Sequence, residues 1–310
     1  MTSLSRVWDI PILLLLSMIW ASSFAMIKIA VPETGPFFLV VARCTNWAKL
    51  MLLVVMFSRN AVWPRDFRSW RWLVLAAAVS TALPFFLISA AETRISSSMA
   101  AILMTVGPLA AILIGHFFDD EKINRGKLVG VGTGFIATIY LLREGVAGMG
   151  NVGLIYLLLP VFASVCYAVG GFMVKKLANI SSEVIAAIVL AASAVIVLPF
   201  ALIERSLDLA AIRTETWGAL IWLGLVTSGI AFYLRFFLLK RNGYGFVSYV
   251  GYLIPLFAIA IGMIWLKEDV SMTTIMAMSV IILGLFLTRS SSDFPWNLSP
   301  QLIRFRSLLN

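Results

Sequence analysis

The residues that offer the most chemistry are four basic side chains inside long apolar runs: Lys28, Arg43, Lys49 and Arg235. A cation inside a lipid-spanning helix is costly, so it usually faces a cavity or a partner. Arg43, Asn46 and Lys49 recur every three residues, which places them within one broad stripe of a helix. We expect this stripe either to face a cavity that attracts a carboxylate or phosphate, or to bond carbonyl groups of neighbouring helices. Lys28 is expected to extend towards the membrane surface, and Arg235 to face a cavity.

Acidic residues are placed differently. All 15 Asp and Glu residues lie at the ends of apolar runs or between them, and the sole histidine, His116, is close to a run end. Membrane proton relays usually carry a carboxylate or histidine in the pathway, and hydrolysis needs a general base beside a nucleophile. We therefore expect no catalytic residues and no dedicated proton relay. Cys44 and Cys166 lie in apolar runs, which predicts neither a disulfide nor a metal site, and no cofactor is expected.

Prolines and aromatic residues add further candidates. Pro108 and Pro255 each lack an N–H group and clash with the carbonyl four residues earlier, so each should kink its helix, and Pro84 adds a third kink. Kinks of this kind either expose backbone groups to a ligand or serve packing alone. Aromatic rings with interspersed hydroxyls suit a small amphipathic ligand. The candidate substrate-binding residues are Trp20, Phe24, Arg43, Ser80, Pro84, Thr105, Pro108, Tyr167, Thr227, Ser228, Arg235, Tyr249, Tyr252 and Pro255.

The composition of the whole chain indicates the environment in which these residues lie. Of the 310 residues, 61% are hydrophobic and 13% are charged, and the mean hydropathy is +0.98. Soluble proteins carry about 25% charged residues, so soluble enzymes, nucleic-acid binders and disulfide scaffolds are excluded. The bilayer must be the solvent of this chain.

Ten apolar runs are long enough to span a bilayer, which takes about 20 residues per helix. The runs are continuous rather than alternating, so helices are favoured over strands. We predict an all-α membrane protein with ten transmembrane helices, at residues 11–31, 36–57, 70–91, 95–118, 126–142, 151–174, 183–203, 216–239, 245–266 and 271–288.

The distribution of basic residues predicts the orientation. With a cytoplasmic N-terminus, 15 Lys and Arg residues fall on the inside and 5 on the outside. Positive residues concentrate on the cytoplasmic side, so both termini are expected there. No small-residue cleavage site follows the first run, so the first helix should remain in the mature protein.

An internal repeat relates the two halves of the chain. An offset of 147 residues aligns Pro108–Gly115 with Pro255–Gly262, identical at six of eight positions. The same offset pairs Trp20 with Tyr167 and Tyr252 with Thr105. Each half has an odd number of predicted helices, so the second half should be inverted, an arrangement found in transporters. We expect repeats at 1–146 and 147–288, followed by a cytoplasmic interfacial tail at 289–310.

The chain resembles the ten-helix, EamA-type members of the drug/metabolite transporter superfamily, including its YddG-like group. The matching stretches are Ile19–Ala30, Arg43, Ser96–Gly132 and Gly229–Ser271, within a resemblance that covers about residues 10–288. The resemblance implies export of amino acids and related metabolites through a central cavity. It departs from the usual pattern after Arg43 and at Arg235.

Three hypotheses follow. The first is a secondary transporter in the bacterial inner membrane, a monomer or weak dimer, that exports amino acids or similar carboxylate-bearing compounds. The second is an exporter of drugs or organic cations that are held in an aromatic cage. The third is a structural or lipid-handling membrane protein without a cavity. A small-molecule substrate and the bilayer are the expected partners, and nucleic acid is not.

Overall fold

The computed structural model describes residues 8–58, 61–118, 125–177, 179–204, 211–247 and 249–287. Every regular element within these ranges is helical, which confirms the all-α prediction. Two π-helical segments, Ala78–Ala82 and Trp222–Ile230, join α2 to α3 and α8 to α9. The helices are α1 (Asp9–Phe57), α2 (Phe67–Ala77), α3 (Leu83–Glu92), α4 (Ser97–Leu103), α5 (Val106–Phe118), α6 (Arg125–Lys175), α7 (Ser182–Glu204), α8 (Thr214–Ile221), α9 (Ala231–Val247), α10 (Val250–Ile264) and α11 (Met272–Leu287).

Several of these segments are long and apolar enough to cross a membrane. Six such segments occur in the described ranges, and two shorter apolar helices, Val250–Ile264 and Met272–Gly284, accompany them. The six are Asp9–Phe57, Phe67–Glu92, Ser97–Ile114, Gly153–Val174, Ser182–Glu204 and Thr214–Arg235.

Helix α1 bends sharply at Gly35. Gly35 has φ 71° and ψ 163°, a conformation that favours glycine. Pro36 follows directly and suits the first position of a new helical stretch. The Phe37 N–H donates to the Glu204 carboxylate of α7 at 3.1 Å, which satisfies a backbone donor at this bend. We call residues 9–34 and 36–57 the first and second arms of α1.

Helix α6 also changes direction. A Cβ atom on Gly145 would lie 2.7 Å from Leu157 Cδ1. Residues twelve apart in a straight helix are separated by about 18 Å, so the chain must turn back between them. The break predicted at 143–150 is therefore a bend within helical backbone. The break predicted at 240–245 is present but lies a few residues later, because α9 continues to Val247 and α10 begins at Val250.

The three predicted proline kinks have different outcomes. The helix is interrupted at Met104 and Thr105, between α4 and α5, which confirms the break expected before Pro108. Pro84 is the second residue of α3, which begins where the first π-helical segment ends. At Pro255 the helix is not interrupted, since α10 runs from Val250 to Ile264 through this proline. Only about one turn of α10 precedes Pro255, so no long helical arm has to bend away from the ring.

The two π-helical segments occupy equivalent places in the two halves. The offset of 147 residues carries Ala78–Ala82 onto residues 225–229, inside Trp222–Ile230. A π-helical turn widens the backbone and is often found at functional sites. This correspondence supports the internal duplication and directs attention to the residues of both segments.

Candidate substrate-binding site

Arg43 is the buried charge around which the site is built. It lies on the second arm of α1, and its side chain is 8% exposed. Its Nη2 atom donates to Thr227 Oγ1 over a long 3.5 Å, and its Nε atom is buried without a hydrogen-bond partner. A guanidinium has five N–H donors, so this one is poorly satisfied by the protein. The arrangement leaves Arg43 with donors for a ligand.

Aromatic rings hold the guanidinium from the α3 and α6 side. The Cζ atom of Arg43 lies 3.9 Å from the centre of the Phe85 ring, a cation–π contact. Tyr167 of α6 meets Phe85 edge to face, with ring centres 6.4 Å apart. Three segments that are distant in sequence therefore meet at Arg43.

The second π-helical segment forms the other wall. The hydroxyls of Thr227 and Ser228 both donate to the Leu223 carbonyl at 2.9 Å. The indole Nε1 of Trp20 donates to the Thr227 carbonyl at 3.0 Å. In a dry interior such bonds satisfy backbone carbonyls that a widened helix leaves without their usual partners. Trp20 and Arg43 thus both contact Thr227, and Ser228 is the next residue of the same segment.

The stripe predicted on the second arm of α1 is only partly realised. Asn46 faces the second π-helical segment closely, since a Cβ on Gly224 would lie 2.7 Å from Asn46 Cβ. Lys49 is exposed. Arg43 and Asn46 therefore belong to the site wall, and Lys49 does not.

Ser80 is the offset partner of Thr227 in the first π-helical segment. Its hydroxyl donates to the Ala76 carbonyl at 2.6 Å. A Cβ on Gly170 of α6 would lie 2.1 Å from Ser80 Cβ, so only glycine permits this approach. Ser80 thus serves helix packing between the first π-helical segment and α6.

An apolar cavity of about 190 Å³ opens beside the first arm of α1. Tyr249 and Tyr252 line it, with ring centres 6.1 Å apart. Trp20 and Tyr249 pack against the same hydrophobic cluster, so this cavity and the Arg43 site share one packed layer of side chains. Small-molecule pockets commonly occupy about 300–1,000 Å³, so the cavity suits part of a ligand. Its other lining residues are Ile10, Leu13, Leu14, Phe246 and Leu253.

The remaining candidates are spread over α1, α3, α5, α9, α10 and the break between α4 and α5. Phe24 is buried in a core cluster with Tyr167 packed against it. Thr105 donates to the Ile102 carbonyl at 2.5 Å, at the break between α4 and α5. Arg235 is half-buried on α9, about two helical turns beyond Thr227. Pro84 and Pro255 are buried, whereas Pro108 is exposed.

Lys28 does not extend to the membrane surface. Its ammonium group donates to the backbone carbonyls of Glu92 at 2.8 Å and Ile95 at 2.7 Å. The expectation of a surface-seeking side chain was therefore wrong, because carbonyls at the end of α3 are within reach. Sequence reasoning also missed Phe85 and the burial of Glu92. The repeat offset pairs Phe85 with Phe232, and this pairing was the one sequence feature that could have singled out Phe85.

A family model decides the identity of the fold. The EamA-like transporter family matches twice, at residues 7–143 and 153–290. The chain belongs to the EamA-like transporter family. It is an integral membrane protein with two EamA repeats, as the apolar helices also indicate.

Relatives within the EamA-like family cover most of the chain. An uncharacterized transporter of Archaeoglobus fulgidus is 26% identical over 89% of this chain and 96% of its own length. The S-adenosylmethionine/S-adenosylhomocysteine transporter of Chlamydia trachomatis is 25% identical over 86% of this chain and 84% of its own length. A crystal structure of 18% identity covers 91% of this chain and 97% of its own chain with a TM-score of 0.63, which shows the shared fold.

Proposed function

We propose that this protein is a secondary transporter that exports amino acids or related carboxylate-bearing metabolites. The observation that supports this substrate class is the Arg43 guanidinium, which is buried but has few hydrogen bonds from the protein. Arginine binds carboxylates through paired, charge-assisted hydrogen bonds. A substrate carboxylate at Arg43 would satisfy donors that the helices leave open.

Apolar and hydroxyl side chains near Arg43 suit the other parts of such a substrate. Trp20, Phe24 and Tyr167 would contact its apolar part, and the Thr227 and Ser228 hydroxyls would fix its polar groups. Pro108, just after the break between α4 and α5, belongs to the proposed pathway. The proposed substrate pathway also includes Arg235, Tyr249, Tyr252, Ser80, Pro84, Thr105 and Pro255.

Transport would proceed by alternating access in a ten-helix bundle. The halves at 1–146 and 147–288 would form inverted repeats that exchange conformations around the fixed site. We propose that both termini are cytoplasmic, that the membrane is a bacterial inner membrane, and that the protein is a monomer or weak dimer. The tail at 289–310 lies outside the described residues.

The Chlamydia relative supports an amino-acid-like substrate, since S-adenosylmethionine and S-adenosylhomocysteine both carry an α-amino-acid end. The aromatic-cage alternative is less favoured by the geometry. The face of Phe85 is already occupied by Arg43, so it is not open to a ligand cation. The non-transporting alternative is disfavoured because the family is one of transporters.

Uptake of labelled amino acids and organic cations into proteoliposomes tests the proposal. Wild type is compared with Arg43→Ala, Arg235→Ala and the matched control Lys49→Ala, which removes an exposed charge from the same arm of α1. Hydrogen bonds to charged groups contribute about 1.5–3 kcal/mol, so Arg43→Ala should lower uptake of zwitterions about 10- to 100-fold. Lys49→Ala should leave uptake unchanged. If only organic cations are transported and Arg43→Ala behaves as wild type, the carboxylate site is wrong and the aromatic cage replaces it.

A further inference from the structure

Glu92 is a buried carboxyl group without a hydrogen bond. It is the last residue of α3, and only 1% of it is exposed. Both of its carboxyl oxygens are buried and lack a hydrogen-bond partner. Its position directly after the apolar run 70–91 does not mark it as a buried residue. The structure instead encloses it between the first arm of α1, α3 and the start of α4.

The Lys28 ammonium lies at the same place but does not bond the Glu92 carboxyl group. It donates to the backbone carbonyls of Glu92 and Ile95, which uses two of its three donors. A small metal cation would need oxygen ligands of this kind. Since the ammonium already occupies both carbonyls, a proton is the better candidate to neutralise Glu92.

Glu268 lies in the connection between α10 and α11, and both of its carboxylate oxygens accept hydrogen bonds. Its Oε1 accepts from the Ser97 N–H at 2.7 Å, and its Oε2 accepts from the Ser98 N–H at 3.0 Å and the Ser98 hydroxyl at 2.6 Å. These donors lie at the N-terminus of α4, where a negative charge is favourable. Glu268 therefore ties the second half of the chain to α4, close enough to Glu92 for the two negative charges to act on each other. We call Lys28, Glu92, Ser97, Ser98 and Glu268 the Glu92 cluster.

Charged groups of α1 and of the connection between α10 and α11 act on Glu92. Lys28 and Arg43 of α1 attract its negative form, and Glu268 repels it. Helix α6 packs along α3, but its Arg143 and Glu144 are exposed. Helix α4 carries no charged residue. An ionised carboxylate without a hydrogen bond is strongly disfavoured in a dry site, and buried groups of this kind become neutral instead.

We propose that Glu92 is a proton-binding site whose occupancy is coupled to closure of the Glu92 cluster. In the closed arrangement the carboxyl group holds a proton. When the Glu268 contacts to α4 open, water reaches Glu92, the proton leaves to water, and the carboxylate is stabilised beside Lys28. Closure takes one proton back from water. This inference does not depend on the substrate proposed above, so either proposal can fail without the other.

Infrared spectroscopy of protein in nanodiscs, with ¹³C-labelled glutamate, tests whether the proton is present. At neutral pH the wild type should show the carbonyl stretch of a protonated glutamic acid. The band should be absent in Glu92→Gln and retained in the matched control Glu144→Gln, which changes an exposed side chain. Absence of the band in wild type, or its survival in a folded Glu92→Gln protein, would overturn the proposal.

Thiol labelling tests the coupling without depending on Glu92→Gln alone. With Cys44 and Cys166 replaced by Ser, a Ser97→Cys variant reports opening of the cluster to a water-soluble maleimide. The labelling rate of Ser97→Cys is divided by the labelling rate of an exposed Asp269→Cys variant. This ratio corrects for the increase in thiol ionisation with pH. Linkage to one proton should raise this ratio by up to about tenfold per pH unit through the ionisation range. The ratio should stay flat in Glu92→Gln. A flat ratio with Glu92 present would show that no proton is linked to opening.

Discussion

Arg43 and Phe85 form a direct cation–π pair, with 3.9 Å between the guanidinium carbon and the ring centre. The ring attracts the guanidinium without neutralising it, because a ring quadrupole provides no counter-charge. Arg43 therefore remains a positive group in a buried place. The pair also fixes the second arm of α1 against α3, so its strength can be measured through stability.

A double-mutant cycle should detect this pair. Phe85→Leu and Arg43→Met are each expected to lower stability, and the combined variant should lose less than the sum of the two. The coupling energy should be about 0.5–2 kcal/mol, in the range of cation–π contacts. Unfolding in detergent provides the measurement. Phe86 stacks on Phe37 instead, with ring centres 4.3 Å apart, so Phe86→Leu with Arg43→Met is the control cycle. Coupling that is equal in the two cycles would contradict a specific Arg43–Phe85 contact.

Gly224 permits the close approach of the second π-helical segment to Asn46. A Cβ at residue 224 would lie 2.7 Å from Asn46 Cβ, so Gly224→Ala must push the segment away from α1. Overpacking of this kind costs about 1–3 kcal/mol, and displacement of Thr227 should also reduce uptake. Gly218→Ala, in α8, is the matched control because a Cβ there meets nothing within 4 Å. The apparent Tm and uptake of both variants are compared. Equal behaviour of the two would show that the approach at Gly224 is not tight.

Glu268 should stabilise the protein in a pH-dependent way. Burial alone raises the pKa of Glu268, but hydrogen bonds from Ser98 and Ser97 outweigh this and lower it below its usual value. A carboxyl with a lowered pKa stabilises the folded state above its unfolded pKa, about 4.3, and loses this effect as the pH falls through its folded pKa.

Glu268→Gln should therefore reduce the apparent Tm at neutral pH, by the equivalent of about 0.5–2 kcal/mol for a lost cap. The difference from wild type should shrink below about pH 4, where wild type also loses the charge. Asp269→Asn changes the exposed neighbouring carboxyl and should have little effect. A Tm difference that is constant with pH would argue against the charged cap.

Features that depend on local sequence were predictable. Apolar runs predicted the helices, and Arg43 inside one of them predicted a polar contact, because both follow from the cost of polar groups in lipid. Pro108 predicted the break before it, since proline removes a backbone bond wherever it occurs in a long helix.

Features that depend on tertiary contacts were not predictable. Glu92 and Glu268 both lie at the ends of apolar runs, yet one is buried without hydrogen bonds and the other is fully bonded. The difference arises from which helix ends meet, and no local pattern encodes that. The π-helical segments were missed for a related reason, since Trp222–Ile230 contains no proline to mark it. Tryptophans deep in the apolar runs do indicate long-range contacts, because Trp20 and Trp222 both donate hydrogen bonds to a distant segment.

Thiol reactivity at two positions should separate a transporter that opens from a sealed bundle. Ser17 is fully buried, and its hydroxyl donates to the Leu13 carbonyl at 2.8 Å, whereas Tyr252 borders the apolar cavity. With Cys44 and Cys166 replaced, Tyr252→Cys should react with a water-soluble thiol reagent faster than Ser17→Cys, by tenfold or more. Ser17→Cys should react only when alternating access opens the bundle, so added substrate should change its rate. If both positions stay unreactive with every substrate tested, the bundle has no water-accessible pathway through these residues and the transport site must lie elsewhere.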